Sequence, residues 1–252
     1  MRCPKCGGDV NNGKCIFCGF KVDDSVNPFA NKSVNGTQPM KSSADIYEKN
    51  VAGVAIVNFY IRTEEGMYSG SGSGCLITRD GYVLTNTHVI YAEDFDLFLD
   101  KVEVTIDNKK YVGRVLKHVS KEERGGPNDV ALIKIDGTTF NKVLQIGDSN
   151  KLRMGDEVTA IGNALGFGIN VTRGVISDLH KRYFNEEFLT SDVGINQGNS
   201  GGPLFNSDGQ LIAICVSSPV AEAVQVERIE NMNFFIPINH VLDMCRNWGY
   251  KF

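Results

Sequence analysis

No stretch of this sequence is apolar for long enough to cross a bilayer. The longest largely apolar run, VAGVAIVNFYI from Val51, is about half of the ~20 residues that a spanning helix needs. The first residues, MRCPKCGG, have no apolar core of the kind that drives export, so no membrane partner is expected. Positive charge is not in excess either: 26 Lys and Arg stand against 30 Asp and Glu, a formal charge of −4, with a pI near 5.6. That balance excludes a protein whose main business is holding nucleic acid on a basic surface. Long amphipathic helical patterns are missing from most of the chain. Composition departs little from globular usage, with 42% hydrophobic and 22% charged residues, which excludes general disorder and fibrous repeats. The 252 residues leave room for one large domain, or for a domain of about 200 residues with a small appendage.

Seven cysteines are present, and four of them, Cys3, Cys6, Cys15 and Cys18, form two C-x-x-C pairs at the start of the chain, each followed by glycine. This is not the spread of a secreted disulfide scaffold, and it leads to the expectation of a reducing, cytoplasmic location. Thiolates at this spacing suit a tetrahedral zinc ion, and residues 1–20 resemble a short four-cysteine zinc ribbon. Four protein ligands leave no open position, so the metal would be structural and catalysis would need no cofactor. Too few apolar residues are present for the segment to fold without it. A redox-active or idle cysteine cluster is the other reading. Residues 21–43, broken by Pro28 and Pro39 and poor in periodic hydrophobicity, read as a flexible linker. Six Lys and Arg against three Asp in residues 1–43 are nearly offset by a zinc-tetrathiolate centre of net charge about −2, so a nucleic-acid role for this arm is weakly supported.

From Ala44 to Phe252 the chain is built from short apolar or alternating runs: VAGVAIVNFYI, GCLITRDGYVLTN, VEVTI, KYVGRVLKH, DVALIKI, EVTAIG, GVISDL, QLIAICV and NFFIPI. Turn signals separate them at 80–81, 107–108, 147–148 and 208–209, the pattern of an antiparallel β protein folded as a sandwich or closed barrels. Only Ile238 to Tyr250 has helical spacing, with Val241, Leu242, Cys245 and Trp248 able to share one face.

QGNSGGPL places Ser200 among Gly198, Gly201 and Gly202. Composition alone allows an ordinary glycine-rich turn. A serine hydroxyl becomes nucleophilic only beside a base that is itself oriented by a third group. His88 in TNTHVI and Asp129 in NDVALIKI, each at the end of an apolar strand, can supply these. The rival acid, Asp136, lies seven positions on, at the far end of the same strand and roughly 20 Å away. His118, His180 and His240 have no motif and no assigned role.

With TNTHVI, NDVALIKID and QGNSGGPL in the order His, Asp, Ser, and with SGSGCLITRDGYVLTNTHVI, LQIGDSNKLRMGDEVTAIGNALGFG, NVTRGVISDL and NFFIPINHVL around them, residues 50–245 resemble the HtrA/Deg branch of trypsin-like serine proteases. The resemblance implies two six-stranded antiparallel β-barrels of the chymotrypsin type with a C-terminal helix. It implies serine endopeptidase activity with Ser200 as nucleophile, His88 as general acid/base, Asp129 behind it, and an oxyanion hole at Gly198, Asn199 and Ser200. A specificity pocket would be lined by Gly194, Ile195, Ile214, Cys215 and Val216. These lack an acid, so cleavage after small or medium aliphatic residues of protein or peptide substrates is expected.

Asn199 replaces an aspartate that digestive members use to bind a new N-terminus, so control by loop ordering is expected over 179–189, 192–199 and 216–232. The resemblance also implies a homo-oligomer, a trimer, which no residue pattern here specifies by itself. The chain departs from the family in its zinc ribbon and in ending soon after the protease unit without a PDZ domain. The ribbon is expected to recruit a protein partner or substrate. The competing reading is a catalytically silent zinc-ribbon scaffold; an intact triad weighs against it. Cys75, Cys215 and Cys245 read as buried small hydrophobes.

Overall fold

The structure, a computed structural model, describes residues 10–11, 14–15, 21, 41–124, 126–183, 186–216 and 232–252. It divides into two units, residues 1–40 and 41–252. Of the first, strands β1 (Val10–Asn11) and β2 (Lys14–Cys15) pair antiparallel, and Lys14 bridges to Lys21. Cys3, Cys6 and Cys18 lie outside the described residues, as do residues 22–40 of the expected linker, so the zinc ribbon is a reading of the sequence alone.

The second unit opens with a helix, α1 (Ser43–Asn50), which the spacing of apolar residues does not announce. Its signal is a capping box. The Asp45 N–H donates to Ser42 Oγ at 3.1 Å, and the Ser42 N–H donates to Asp45 Oδ2 at 2.8 Å, satisfying two of the donors a helix start leaves open.

Strands β3 (Val54–Arg62), β4 (Met67–Leu76), β5 (Tyr82–Thr85), β8 (Lys101–Ile106), β9 (Lys109–His118) and β10 (Ala131–Ile135) close into a barrel in the order β10-β5-β4-β3-β8-β9. A short hairpin, β6 (Tyr91–Ala92) with β7 (Leu97–Phe98), lies outside it. A second barrel follows from β11 (Glu157–Gly162), β12 (Asn170–Tyr183), β13 (Glu186–Ser191), β14 (Pro203–Asn206), β15 (Leu211–Val216) and β16 (Asn233–Pro237), ordered β11-β12-β13-β16-β15-β14. Both barrels are antiparallel, as the implied chymotrypsin-type fold requires. The stretch 179–189, expected as a loop, is largely the far end of β12 and the start of β13. The stretch 192–199 lies between β13 and β14, and of the stretch 216–232, residues 217–231 are not described.

Local chemistry explains the hairpins. Asp107 and Asn108 both take positive φ (48° and 59°) between Ile106 and Lys109, the two-residue turn whose twist matches the flanking strands. The 147–148 signal makes no hairpin; Asp148 instead caps a short 3-10 turn at Ser149–Lys151.

Alternation sorts each strand between two cores. Ala131, Ile133 and Ile135 of β10 fill the first barrel, while Leu132 points out into a layer shared with Ile161, Phe205 and Ile214 of the second barrel and Val241 and Cys245 of α2 (Ile238–Asn247). Burying a leucine fully contributes about 2–3 kcal/mol, so β10, apolar on both faces, binds barrel to barrel. In β15 the alternation breaks once. Leu204 pairs with Ala213 and Phe205 with Leu211, so Ile212 is the extra residue of a bulge and joins Ala213 in the second barrel's core. The α2 helix ends where Tyr250 N–H donates to Cys245 O at 2.9 Å and Gly249 N–H to Arg246 O at 3.0 Å. Cys75, Cys215 and Cys245 are free thiols, all buried, and burial pushes the Cys245 thiol up to about 12.

Candidate active site

The antiparallel pairing of Ala131 with Thr85 brings the residues before β10 beside those after β5. Three contacts then lock the two segments together. Asn86 Nδ2 donates to Asp129 O at 2.6 Å, Thr87 Oγ1 donates to Val130 O at 2.7 Å, and the His88 N–H donates to Asp129 Oδ1 at 3.1 Å. The other carboxylate oxygen, Oδ2, holds His88 Nδ1. Asp129 is fully buried, and the His88 side chain is 29% exposed. An ionised carboxylate can only accept, so with Asp129 in that form Nδ1 carries the proton and Nε2 is left as an acceptor. Asp136, the rival acid, lies past the other end of β10 in an ion pair with Arg114 at 3.2 Å.

The other three histidines have structural partners. His118 stacks on Phe98 with ring centroids 4.1 Å apart, His180 meets Glu187 at 2.6 Å, and His240 Nε2 meets Asn128 Oδ1 at 2.8 Å.

Ser200 sits in the turn between β13 and β14, on the second barrel. Its carbonyl accepts the Ser73 N–H at 2.8 Å, which fixes the turn to β4 of the first barrel. Within the turn Asn199 N–H donates to Asn196 O at 3.0 Å and Gly201 N–H to Cys215 O at 2.9 Å. The N–H groups of Gly198 and Ser200, before and after the bonded N–H of Asn199, have no partner among the described residues. Two backbone donors are thus left open on either side of a bonded one.

Ser200 Oγ has no hydrogen bond to His88 among the described residues. Catalytic hydrogen bonds of this kind commonly tighten only when substrate is bound. Gly201 packs against the end of β5. A Cβ there would lie 2.2 Å from Thr85 Oγ1 and 2.4 Å from Ser73 O, and at Gly198 one would lie 2.3 Å from Asn163 O; both residues have positive φ, 79° and 94°. Glycine is therefore required at both by the protein's own backbone.

Residues to which the sequence assigned no role aim this turn. Ser73 Oγ donates to Gly198 O at 2.7 Å and accepts from Asn163 N–H at 2.9 Å. The Leu165 N–H donates to Gln197 O at 2.6 Å, and Leu165 holds a left-handed backbone, φ 57°. Because C=O and N–H point oppositely across a trans peptide, this bond turns the Gly198 N–H away from Leu165. Asn199 is buried, and its Oδ1 has no hydrogen-bond partner among the described residues.

The five expected pocket residues divide. Ile195 and Cys215 share a cluster with Val193 and Phe235, whereas Ile214 and Val216 lie in the layer between the barrels. Alternation along β15 makes this unavoidable. Gly194 is held by Thr172 Oγ1, which donates to its carbonyl at 2.8 Å. Among the described residues no group of three or more His, Cys, Asp or Glu could hold a metal ion.

Comparison with known proteins places these residues in context. The trypsin-like peptidase domain family matches residues 72–214, which include Ser73, His88, Asp129 and Ser200. A probable periplasmic serine endoprotease, DegP-like, of Marinomonas sp. (strain MWYL1) is 39% identical over 155 residues, 60% of this chain and 30% of the relative. The protein of the same name from Pseudomonas putida (strain W619) is 37% identical over 176 residues, 69% of this chain and 33% of the relative. The chain thus spans about a third of the length of these curated relatives. Among solved structures, the HtrA-type protease AlgW with tripeptide superposes with a TM-score of 0.63 at 26% identity, covering 82% of this chain and 63% of that one.

One expectation is overturned. The relatives are named periplasmic enzymes, which points away from the cytoplasm; clustered cysteines and the first few residues do not report compartment against that. With more than half of its length matched and the whole site inside the match, the chain belongs to the trypsin-like peptidase domain family, and its relatives are of the HtrA/DegP type.

Proposed function

We propose that the protein is a serine endopeptidase. The observation that carries this reading is the pair of open N–H groups, Gly198 and Ser200, in a serine-bearing turn that packs against Thr85 and Asn86, just before the His88 that Asp129 orients. Ser200 Oγ attacks the scissile carbonyl carbon while His88 Nε2 takes its proton. The resulting oxyanion lies against the two N–H donors, each worth about 3 kcal/mol to the barrier. His88 then returns the proton to the leaving amine, which departs and leaves an ester on Ser200. Water, deprotonated by the same nitrogen, attacks the ester and releases the acid and the free serine. Buried Asp129 keeps Nδ1 protonated and balances the imidazolium formed at each step.

The apolar surroundings of Ile195 and Cys215 favour a small or medium aliphatic residue before the scissile bond, since a lysine or arginine there would be buried without a partner. The two N-terminal C-x-x-C pairs fit a structural zinc ion by donor chemistry and spacing, and the ribbon so formed would bring a protein partner or substrate to the site. A trimer is the assembly the family resemblance implies. The scaffold reading is disfavoured because a chain without catalytic use has no reason to leave two donors open beside an oriented histidine.

Labelling with a fluorophosphonate tests the reading: the native chain should be modified and Ser200→Ala should not. Equal labelling of both, or of neither under any condition, would remove the assignment.

A further inference from the structure

The wall of the first barrel opens at one end. β3 pairs with β4 along its whole length, Val54 to Arg62, but with β8 only from Ala55 to Asn58, opposite Ile106 to Glu103. Beyond Asn58 the strands part, and residues 59–62 have no strand partner on that side among the described residues. The gap is a groove of about 360 Å³, lined by residues that include Phe59, Tyr60, Lys101, Val102, Lys110 and Val112.

Register fixes the faces. Asn58 lies opposite Glu103, and Glu103 opposite Val112, so Tyr60, Arg62, Lys101 and Val112 share the outer face while Phe59 and Val102 form the groove floor over the barrel core. Sheet edges are normally guarded by charge and kept free of large apolar groups. Here Tyr60, on the open edge, is 53% exposed, and Val112, across the groove on β9, is 69% exposed. Lys110 is paired with Glu103 at 3.1 Å, but Arg62 and Lys101 have no carboxylate partner among the described residues. The outer face is therefore basic on a chain whose net charge is −4.

We propose that this groove is an exosite for an extended acidic segment, which adds as a strand to the free edge of β3. Its outward carboxylates meet Arg62 and Lys101, and its inward aliphatic side chains rest on Phe59 and Val102. That the segment belongs to a protein being cleaved rests on the peptidase reading; the docking itself does not.

The test uses the full chain carrying Ser200→Ala and a fluorescein-labelled 12-residue peptide of alternating glutamate and valine, read by fluorescence anisotropy without turnover. Saturable binding is expected, weakened at least tenfold by Arg62→Glu with Lys101→Glu, weakened as much when two central valines of the peptide become proline, and lost when its glutamates become lysine. An unchanged melting temperature shows that the double variant is folded. The proposal is overturned by no saturable binding, by equal binding of the proline peptide, or by equal binding to a folded double variant. Affinity that falls as protein concentration rises would put a second copy on the edge and overturn it too. A chain inert as a peptidase leaves this outcome untouched, and an active chain that fails here loses only the exosite.

Discussion

Ser73 Oγ, on the first barrel, donates to the carbonyl of Gly198, on the second, at 2.7 Å. The same oxygen accepts the Asn163 N–H, so one buried hydroxyl ties the loop at Asn163 to the turn that carries the open Gly198 donor. Ser73→Ala should lower kcat on a short peptide by about tenfold, a fraction of what losing a whole oxyanion donor costs, with KM little changed. Unfolding in urea should show a loss of roughly 1–3 kcal/mol from the unpaired buried groups. A loss of stability with kcat intact would make Ser73 a packing residue only.

The two acids flanking β10 should separate cleanly. Asp129→Asn leaves the histidine without its carboxylate and should reduce kcat by about 10⁴. Asp136→Asn, which breaks only the exposed pair with Arg114, should stay within about twofold of the native rate, since surface pairs contribute little. Steady-state kinetics on one substrate decides between them.

Asn199→Asp should make stability depend on pH. The side chain is buried against Gly162, and its Oδ1 has no hydrogen-bond partner among the described residues, so burial raises the new carboxyl's folded pKa above its unfolded value. The penalty is complete above the folded pKa, shrinks as pH falls through it, and vanishes below the unfolded pKa. Denaturation midpoints of variant and native chain should thus converge between pH 7.5 and pH 4. Parallel curves would mean that residue 199 is solvated.

The cysteines should fall into two classes. Cys75, Cys215 and Cys245 are buried, with thiols pushed up by desolvation, and should resist a thiol reagent at pH 8 until the chain unfolds. If Cys3, Cys6, Cys15 and Cys18 hold zinc, metal analysis finds one ion per chain, and a mercurial displaces it as four thiols react. Four thiols reacting at once in metal-free native protein would leave the ribbon without a basis.

What could be read from the letters followed the range of the interactions. The Asp107–Asn108 turn, the strand entered at Asp129 and the Ser200 turn are local, and each carries its signal within a few residues. The capping box of Ser42 and Asp45 is local as well, but the helix it starts is too short to show a periodic face. Ser73 and Leu165 were illegible because their partners are distant in sequence: Ser73 and Gly198 are 125 positions apart. The bulge at Ile212 was hidden for another reason. In LIAIC every residue is apolar, so no alternation exists for an extra residue to disturb, and the sides taken by Ile214 and Cys215 could not be counted off.

Division of the site between two barrels also sets a timetable. His88 and Asp129 belong to the first barrel and Ser200 to the second, and the second closes only with β16, Asn233–Pro237, followed by α2, which helps to fill the layer between them. Made from its N-terminus onward, the chain has all three side chains by residue 200, before the last three strands of the second barrel exist. The last 20 or so residues, strand and helix together, thus complete the scaffold that holds Ser200 against the first barrel.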